Sequence, residues 1–270
     1  MTPPTDIVVT VHNALEQAAR CIADVYKNTE NFRLIVVDDD SGPVTRAWLQ
    51  GLECLQRSRS NLLLQTNYPR YWVRASNLGL RLARTPWVAL LNADVTLGPG
   101  WLEELYEAKG QANGRNGARV GLVGHICSNM CWGLHYREGE WEFVDEPNYV
   151  NGHCWLLNME AMRQIAYARI CRGRGGHIGS LMDETDPDLI HYRADPHTCW
   201  ELAAQGYKSI AVFRDTVQHA MLMGDGTARK DLRHPDEVSL GEVDDDWQGA
   251  RLEGWRDLPA RANRVTGGCS

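Results

Sequence analysis

The sequence predicts an α/β fold in which helices flank a mostly parallel β-sheet. Three observations support this class. Runs of β-branched and aliphatic residues, such as 7–11 and 34–37, are continuous, as in parallel strands buried on both faces. Apolar residues at helical spacing fill the segments between these runs. Polar clusters directly follow several of the runs, where an α/β sheet places its ligand-binding turns.

The first hundred residues alternate strand and helix patterns in regular order. Alternation of this kind is typical of βαβ units with right-handed crossovers on a parallel sheet. In chain order we predict a strand at 7–11, a helix at 14–26, a strand at 34–37, a helix at 44–55, a strand at 62–64, a helix at 73–83 and a strand at 87–91.

The second half of the chain is more elaborate. Residues 129–149 are rich in Trp and Gly, and we interpret them as an irregular segment that includes a hairpin. The other elements are a strand at 120–126, a strand at 149–157, a helix at 160–168, a loop at 172–179, a helix at 195–205 and a strand at 208–213. We therefore predict one domain at 1–224, with halves at 1–110 and 111–224, and a polar C-terminal arm or tail at 225–270.

Composition and charge limit the function classes. The chain has 28 Lys and Arg against 35 Asp and Glu, a net charge of −7, which argues against a protein that covers nucleic acid with positive charge. The sequence shows no secretory leader pattern and no stretch of the roughly 18 apolar residues that a membrane span needs. The eight cysteines show no disulfide framework. We expect a cytoplasmic protein with reduced thiols and no membrane span.

Three polar turns follow predicted strands, at residues 10–13, 38–41 and 92–94. Ligands of open α/β sheets bind beyond the carboxyl ends of the strands. The consecutive carboxylates Asp38, Asp39 and Asp40 suit either a turn that caps the next helix or a contact to the base or ribose of a nucleotide. Asp94 ends an apolar run, where a buried carboxylate needs a cation, and its hard oxygens suit Mg²⁺ or Mn²⁺. These residues alone leave both a ligand site and ordinary turns open.

Missing motifs argue against several enzyme classes. The first strand leads into Val11, His12 and Asn13 in place of a glycine-rich dinucleotide loop. The sequence contains neither G-x-x-x-x-G-K-[ST] nor G-x-S-x-G, so a P-loop NTPase and an α/β-hydrolase are not expected.

Seven motifs in order resemble those of inverting family 2 glycosyltransferases of the GT-A fold. They are V-V-T-V-H-N at 8–13, V-D-D-D-S at 37–41, S-N-L-G at 76–79, W-V-A-L-L-N-A-D at 87–94, Y-V-N-G-H-C at 149–154, R-A-D at 193–195 with A-Q-G-Y at 204–207, and V-Q-H at 217–219. The resemblance runs from Asp6 to about Met221. It implies a Rossmann-type central sheet with an elaborated acceptor side.

The resemblance also implies a set of site residues. Asp195 matches the general base, although its place before Pro196 equally suits a helix N-cap. Asp94 and His219 match ligands of Mn²⁺ or Mg²⁺. The residues expected to contact the nucleotide-sugar donor are Thr10, Val11, His12, Asn13, Asp38, Asp39, Asn67, Asn77, Asn92, Ala93 and Asp94. Those expected to contact the acceptor are Gly152, His153, Trp155, Asp183 and Glu184, with Trp132 and Trp141 in the same region.

The implied function is transfer of a hexose from a nucleoside-diphosphate sugar, with UDP as the expected carrier, to an acceptor hydroxyl with inversion. The acceptor is left open among a glycan, a lipid-linked sugar, a metabolite, a protein and a modified nucleobase. Asn92 and Ala194 stand where the family pattern has acids. A catalytically silent nucleotide-sugar-binding module is therefore an alternative, and a sugar nucleotidyltransferase is another.

Overall fold

The computed structural model describes residues 2–57, 61–68, 70–113, 117–125, 133–137, 140–144, 150–173, 176–177, 179–186, 194–212 and 216–219. All of them belong to one unit of the chain, Met1–Asp225. The predicted tail at 225–270 lies outside the described residues, as do Cys127, Cys131 and Trp132.

The strands form one large sheet and two short pairs. They are β1 (Thr5–Val11), β2 (Phe32–Asp38), β3 (Leu62–Gln65), β4 (Trp87–Asn92), β5 (Val95–Leu97), β6 (Arg119–His125), β7 (Gly133–Arg137), β8 (Glu140–Val144), β9 (Cys154–Asn158), β10 (Tyr207–Val212) and β11 (Val217–His219). The seven-stranded sheet has the order β10-β6-β9-β4-β1-β2-β3. Its pairs are parallel except those of β9 with β4 and β6.

Six helices are described around this sheet. They are α1 (Leu15–Asn28), α2 (Pro43–Arg57), α3 (Tyr71–Arg81), α4 (Trp101–Asn113), α5 (Met159–Cys171) and α6 (Ala194–Ala204). Gly79 sets the packing of α3, because a Cβ atom there would lie 2.4 Å from Val8 Cγ1 and 3.1 Å from Val37 Cγ2. The absent side chain lets the backbone of α3 approach β1 and β2 directly.

Burial explains why the strand runs of the sequence are continuous. Every residue of β1 is buried, as are the last five residues of β2. A strand covered on both faces has no solvent side on which polar residues could alternate, and β-branched side chains suit that pleated environment. Because the strands are apolar and buried, the polar residues at their ends are easily recognised in the sequence.

The predicted α/β class and mostly parallel sheet are confirmed. The predicted hairpin within 129–149 corresponds to β7 and β8, which pair antiparallel. The predicted strand at 149–157 is too long at its start: β9 begins at Cys154, because residues 150–153 form a turn. Helix α4 and the β5–β11 pair are absent from the prediction, although the buried positions of α4 have helical spacing.

Two further findings concern the predicted location of the chain. No described helix is both long enough and apolar enough to cross a membrane. Among the described cysteines, Cys21, Cys154, Cys171 and Cys199 are not in disulfides. Three of these four thiols are buried, so they pack as small apolar groups.

Candidate active site

The three polar turns meet at one edge of the sheet. In the parallel register, Val11 pairs with Asp38, and Thr10 pairs with Asn92. The backbone confirms this closeness, because the N–H of Asp39 donates to the carbonyl of Val11 at 2.7 Å. The turns after β1, β2 and β4 therefore leave the sheet side by side, at the carboxyl ends of the strands.

Asp38 shapes the turn after β2. Its side chain has no exposed surface. Oδ1 accepts the N–H of Ser41 at 3.0 Å, and Oδ2 accepts Nε2 of Gln65 at 2.9 Å. Arg46 lies 3.4 Å from Oδ2. These contacts fit the interpretation as a helix-capping turn before α2, and the burial of the carboxylate argues against its predicted contact with a nucleotide.

Asp39 joins the turn after β2 to the start of α3. Its two carboxylate oxygens accept the N–H groups of Arg70 and Tyr71, both at 2.7 Å. Burial raises the pKa of Asp39, and these two hydrogen bonds act in the opposite direction. Tyr71 has φ of 64°, a conformation that is rare for a bulky residue and is held only where surrounding contacts fix it. Asp39 is one such contact.

His12 and Asn13 form a second polar link across this edge. Nδ1 of His12 lies 2.6 Å from the carbonyl of Asp39, and Nε2 lies 3.1 Å from Nδ2 of Asn13. Oδ1 of Asn13 accepts the N–H of Gly42 at 2.7 Å, which fixes its amide orientation. Because a carbonyl only accepts and an amide nitrogen only donates, the neutral His12 tautomer with hydrogen on Nδ1 satisfies both contacts. Three residues predicted to contact the nucleotide sugar, His12, Asn13 and Asp39, are thus connected by hydrogen bonds.

Buried polar atoms without partners mark the place where β4, β5 and β11 meet. We call Asn92, Asp94 and His219 the Asp94 corner. His219 pairs with Val95 across the two short strands, and its Nε2 lies 3.1 Å from Oδ1 of Asp94. Oδ1 of Asn92 is buried beside this pair and has no hydrogen-bond partner within the described ranges. Buried polar groups are normally satisfied, so the Asp94 corner is a candidate ligand site.

His153 connects the Asp94 corner to the turn at 150–153. Its ring centroid lies 4.9 Å from that of His219. The carbonyl of His153 accepts the N–H of Asn92 at 2.9 Å. Burial holds the pKa of His153 well below its ordinary value, and the nearby His219 and His125 rings act in the same direction. His153 is therefore a neutral ring that packs beside His219.

Asp195 meets the same turn. Helix α6 begins at Ala194, so Asp195 lies in its first turn and not at the N-cap, which was the alternative to its role as base. Oδ2 of Asp195 accepts the N–H of Gly152 at 2.8 Å. A Cβ atom on Gly152 would lie 2.6 Å from Trp72 Cη2 and 3.1 Å from Asp195 Oδ1. Asp195 and the Asp94 corner are thus joined through the consecutive residues Gly152 and His153.

Asn77 holds the segment 180–185 against α3. It is fully buried. Its Nδ2 donates to the carbonyl of Met182 at 2.9 Å, and its Oδ1 accepts the N–H of Met182 at 2.9 Å. Nδ2 also lies 3.1 Å from Oε2 of Glu184. The predicted contact of Asn77 with the nucleotide is not supported, because both polar atoms of its side chain are hydrogen-bonded to Met182 and Glu184.

Asp183 belongs to a buried group of ions. We call Arg169, Asp183, His197 and Glu201 the His197 cluster. Arg169 lies 2.8 Å from Glu201, and Nε2 of His197 lies 3.5 Å from Asp183 and 3.7 Å from Glu201. Burial alone would lower the pKa of His197, but hydrogen bonds to Asp183 and Glu201 raise it to about 9. The cluster therefore holds two cations and two anions at neutral pH.

Ligand spacing by itself would also allow a metal ion between Asp183, His197 and Glu201. The guanidinium of Arg169 argues against one, because it already supplies positive charge to Glu201. The pKa of Asp183 is lowered, since hydrogen bonds from His197 and Thr185 outweigh the effect of burial. Asp183 is 7% exposed, so its predicted contact with an acceptor is not supported by its position.

Trp155 is a correction to the predicted acceptor contacts. It has no exposed surface. Its indole N–H donates to the carbonyl of Val150 at 3.2 Å, and its ring packs edge-on against Trp72 with centroids 5.6 Å apart. A ring without exposed faces cannot stack on a sugar, so Trp155 is a core residue. The side chain of Trp141 lies outside the described part of the chain, as does Trp132.

Several functional candidates were not predicted from the sequence. Trp72 packs on Gly152, and three members of the His197 cluster surround Asp183. The spacing of His197 and Glu201, four residues apart on a predicted helix, is a readable pattern. The other residues predicted to contact the nucleotide sugar are Thr10, Val11, Asn67 and Ala93. Of these, Asn67 is exposed.

Comparison with solved structures defines the class of the fold. The mannosyltransferase PcManGT from Pyrobaculum calidifontis, in complex with GDP-Man and Mn²⁺, has a TM-score of 0.53 and 17% identity and covers 79% of this chain and 57% of its own. GalNAc-T7 with UDP, GalNAc and Mn²⁺ has a TM-score of 0.56 and 11% identity and covers 80% and 43%. The fold is that of the GT-A glycosyltransferases.

Sequence comparison gives the family. The profile described as Glycosyl transferase family 2 matches residues 6–163, and the chain belongs to this family of transferase enzymes. The pre-mycofactocin glycosyltransferase of Mycobacterium tuberculosis is 26% identical over 259 residues, which cover 86% of this chain and 48% of the relative. The chain spans about half the length of the curated relatives it matches. The predicted family and enzyme class are confirmed.

Proposed function

We propose that the chain transfers a hexose from a nucleoside-diphosphate sugar to an acceptor hydroxyl, with inversion at the anomeric carbon. The observation that carries the proposal is the connection between Asp94, just after the end of β4, and Asp195, in the first turn of α6. Asp94 lies beside His219, which packs on His153, and the adjacent Gly152 donates to Asp195. The reaction requires a leaving-group site and a base site that are held in a fixed relation to each other, and this run of contacts joins the two proposed sites.

The donor is proposed to bind at the turns after β1 and β2. His12, Asn13 and Asp39 are linked by hydrogen bonds that fix the shape of this edge before a ligand arrives. Such preorganisation lowers the ordering cost of binding. UDP is the proposed carrier. Because the similar structures were solved with either GDP-Man or UDP, both nucleotides belong in the test.

The Asp94 corner is the proposed metal site. Its carboxylate and amide oxygens are hard ligands that suit Mn²⁺ or Mg²⁺, and the imidazole of His219 is a third donor. The buried Oδ1 of Asn92, which lacks a hydrogen-bond partner within the described ranges, and the adjacent pair of Asp94 and His219 fit this role. A bound divalent cation supplies positive charge to the leaving diphosphate. Asn92 brings an amide instead of a second carboxylate, so Asp94 carries the negative charge of the ligand set.

Asp195 is the proposed general base. Its Oδ2 accepts the N–H of Gly152, and this hydrogen bond orients the carboxylate toward the turn that the acceptor would approach. In the reaction, the carboxylate takes the proton of the acceptor hydroxyl as the oxygen forms its bond to the anomeric carbon. The bond from that carbon to the diphosphate oxygen breaks on the opposite face, and the electron pair leaves with the diphosphate.

The substitution Asp195→Asn tests this assignment. It keeps the shape of the side chain and removes the base, so we expect turnover to fall by roughly 10²–10⁴-fold, while donor affinity stays close to that of the unchanged chain. Turnover is measured as release of UDP or GDP from UDP-glucose, UDP-GalNAc or GDP-mannose with Mn²⁺, with water as the acceptor. Donor affinity is measured by calorimetry.

Glu103→Gln is the control, because Glu103 is an exposed carboxylate on α4, and its activity should match that of the unchanged chain. Near-normal turnover of Asp195→Asn would contradict the assignment of the base. Donor binding without any release of nucleoside diphosphate by the unchanged chain would instead identify a silent binding module. Pyrophosphate release from a nucleoside triphosphate and a sugar phosphate would identify a nucleotidyltransferase.

A further inference from the structure

A pocket beside α3 has a composition that the proposed reaction does not explain. Its volume is about 360 Å³, within the range of roughly 300–1,000 Å³ that is typical of small-molecule sites. Positions 74, 78 and 81 lie on one face of α3, and position 70, directly before the helix, continues the same spacing. They supply Arg70, Arg74 and Arg81 to one wall, and the other is formed by Gly176, His177, Ser180, Glu184 and Thr185.

Arg81 is neutralised within this pocket. Its Nη2 lies 3.1 Å from Oε1 of Glu184, and its Nε donates to the carbonyl of Gly179 at 2.7 Å. Burial alone would raise the pKa of Glu184, but hydrogen bonds from Ser180 and Asn77 outweigh it and lower the pKa. Glu184 is therefore ionised at neutral pH, and it forms an ion pair with Arg81.

Arg70 and Arg74 are not neutralised in this way. Nε of Arg70 is buried and has no hydrogen-bond partner in the part of the chain that the structure describes. The Arg70 guanidinium lies 4.6 Å from the centroid of the Tyr68 ring, which fixes its plane. Arg74 donates to the carbonyl of Glu184 at 3.4 Å, a long contact. A buried guanidinium donor without an acceptor is unfavourable unless a ligand supplies one.

We propose that this pocket binds a monosaccharide-sized ligand through an oxyanion, a phosphate ester or a carboxylate, held by Arg70 and Arg74. Two guanidinium groups offer paired N–H donors in a fixed plane, which is the geometry that oxyanions accept. Leu78 supplies an apolar surface on the same wall for the body of the ligand. The pocket is distinct from the Asp94 corner, because the two share no residue.

The position of the pocket indicates that the ligand is the acceptor, an extension that rests on the proposed transfer reaction. Glu184 lines the pocket and is adjacent to Asp183. Asp183 contacts His197 at 3.5 Å, two residues after Asp195 on α6. The wall of the pocket is thus joined to the element that carries the proposed base. An anionic group held here would orient the rest of the acceptor toward Asp195.

Binding of three matched sugars to the full chain tests the proposal. Glucose 6-phosphate carries a phosphate ester, glucuronate carries a carboxylate, and glucose is the neutral comparison. We expect saturable binding of at least one anionic sugar by calorimetry, little binding of glucose, and weaker binding at high salt. Signals of arginine Nε–H groups in NMR spectra should shift on binding. Which anionic sugar binds identifies the oxyanion as phosphate ester or carboxylate.

The double substitution Arg70→Gln with Arg74→Gln should weaken this binding by about tenfold or more, since charged hydrogen bonds are lost. The single substitution Arg74→Gln gives a milder test that leaves the stacking of Arg70 intact. Arg163→Gln is the control, because Arg163 is exposed on α5 and does not line the pocket. Undiminished binding in the double variant would overturn the assignment, as would equal affinity for glucose.

Competition separates this site from the donor site. UDP or GDP with Mn²⁺ should not displace the anionic sugar, and displacement would mean that the two arginines belong to the donor site. These measurements need no turnover, so they stand even if the chain proves to be a silent binder. If transfer does occur, the bound sugar should accelerate release of UDP or GDP, and Arg74→Gln should raise its KM without changing hydrolysis of the donor by water.

Discussion

The Asp94 corner and the His197 cluster contain the same types of side chain and differ in how those side chains are paired. Each has a histidine within 4 Å of a buried carboxylate. In the His197 cluster, Arg169 supplies a second cation, so two positive and two negative groups balance. The Asp94 corner has no arginine among its three residues, and Oδ1 of Asn92 is buried without a hydrogen-bond partner in the described ranges.

The difference shows that residue type alone does not identify a metal site. A buried carboxylate beside a histidine is consistent with an internal ion pair and with a pair of metal ligands. The presence of an arginine within the group distinguishes the two cases. Carboxylates that are already neutralised by internal cations have no net negative charge with which to bind a metal ion. Stability measurements should therefore separate the two regions, since the charges of the His197 cluster balance internally and the Asp94 corner is proposed to bind a cation.

The largest effect is expected for Glu201→Ala. Arg169 is 3% exposed, and without Glu201 its nearest described carboxylate is Asp183 at 4.0 Å. Leaving a buried cation without its partner should lower the free energy of unfolding by about 3–5 kcal/mol. Urea unfolding at neutral pH measures this loss. Glu103→Ala, at an exposed position of α4, should cost at most about 1 kcal/mol. A loss no larger than that of Glu103→Ala would mean that the cluster is not an ion network.

A somewhat smaller effect is expected from raising the pH. The pKa of His197 is raised from an ordinary value of 6.5 to about 9 in the folded chain. The stabilisation that results is fully present below the unfolded pKa and is lost as the pH rises through the folded one. The free energy of unfolding should thus fall by up to about 3 kcal/mol between pH 6.5 and pH 9.5.

Urea unfolding across this pH range, compared with the variant His197→Gln, isolates the contribution of His197 from those of other titrating groups. The variant should lose the decline, whereas His177→Gln, whose side chain is 61% exposed, should keep it. Parallel pH curves for the unchanged chain and His197→Gln would show that His197 does not carry a buried charge.

The smallest effect on the metal-free chain is expected for Asp94→Asn. If the Asp94 corner is completed by a cation, removing one ligand should change the free energy of unfolding without metal by no more than about 1 kcal/mol. With Mn²⁺ at a hundred times its dissociation constant, the unchanged chain should gain about 2.7 kcal/mol, and the variant should gain much less. Thermal unfolding with and without Mn²⁺ measures both quantities. A metal-free loss as large as that of Glu201→Ala would identify Asp94 and His219 as an ordinary ion pair.

Much of the fold follows from local patterns. The strands β1, β2 and β4 are buried along their length, so their apolar runs are visible in the sequence, and the helices between them show one apolar face. The antiparallel direction of β9 was not predicted, because direction depends on the path of the chain through the preceding hairpin. The start of β9 was misplaced because Val150 is apolar and buried although it lies in a turn.

The candidate site was predictable in its location and less so in its details. The rule that ligands bind at the carboxyl ends of parallel strands brings Asp39 and Asp94 to one edge. Which polar atoms are already bound by the protein depends on residues far away in the chain. Asn77 binds Met182, and Arg169 neutralises Glu201. Neither contact can be derived from spacing, because each depends on how a distant segment packs.

Helix α3 packs closely on the sheet at Gly79, and this packing bears on the size of the substrate in the proposed reaction. A Cβ atom at Gly79 would clash with Val8 and Val37, so the helix backbone lies directly against β1 and β2 and cannot move closer to them. With 11 residues and a rise of about 1.5 Å per residue, it keeps its two ends roughly 16 Å apart. Asp39 accepts the N–H of Arg70 next to the start of the helix, and Arg81 is its last residue. Arg70 and Arg74 lie at the end of α3 that Asp39 contacts, so in the proposed reaction the fixed helix sets the distance between the anionic group of the acceptor and the turn after β2.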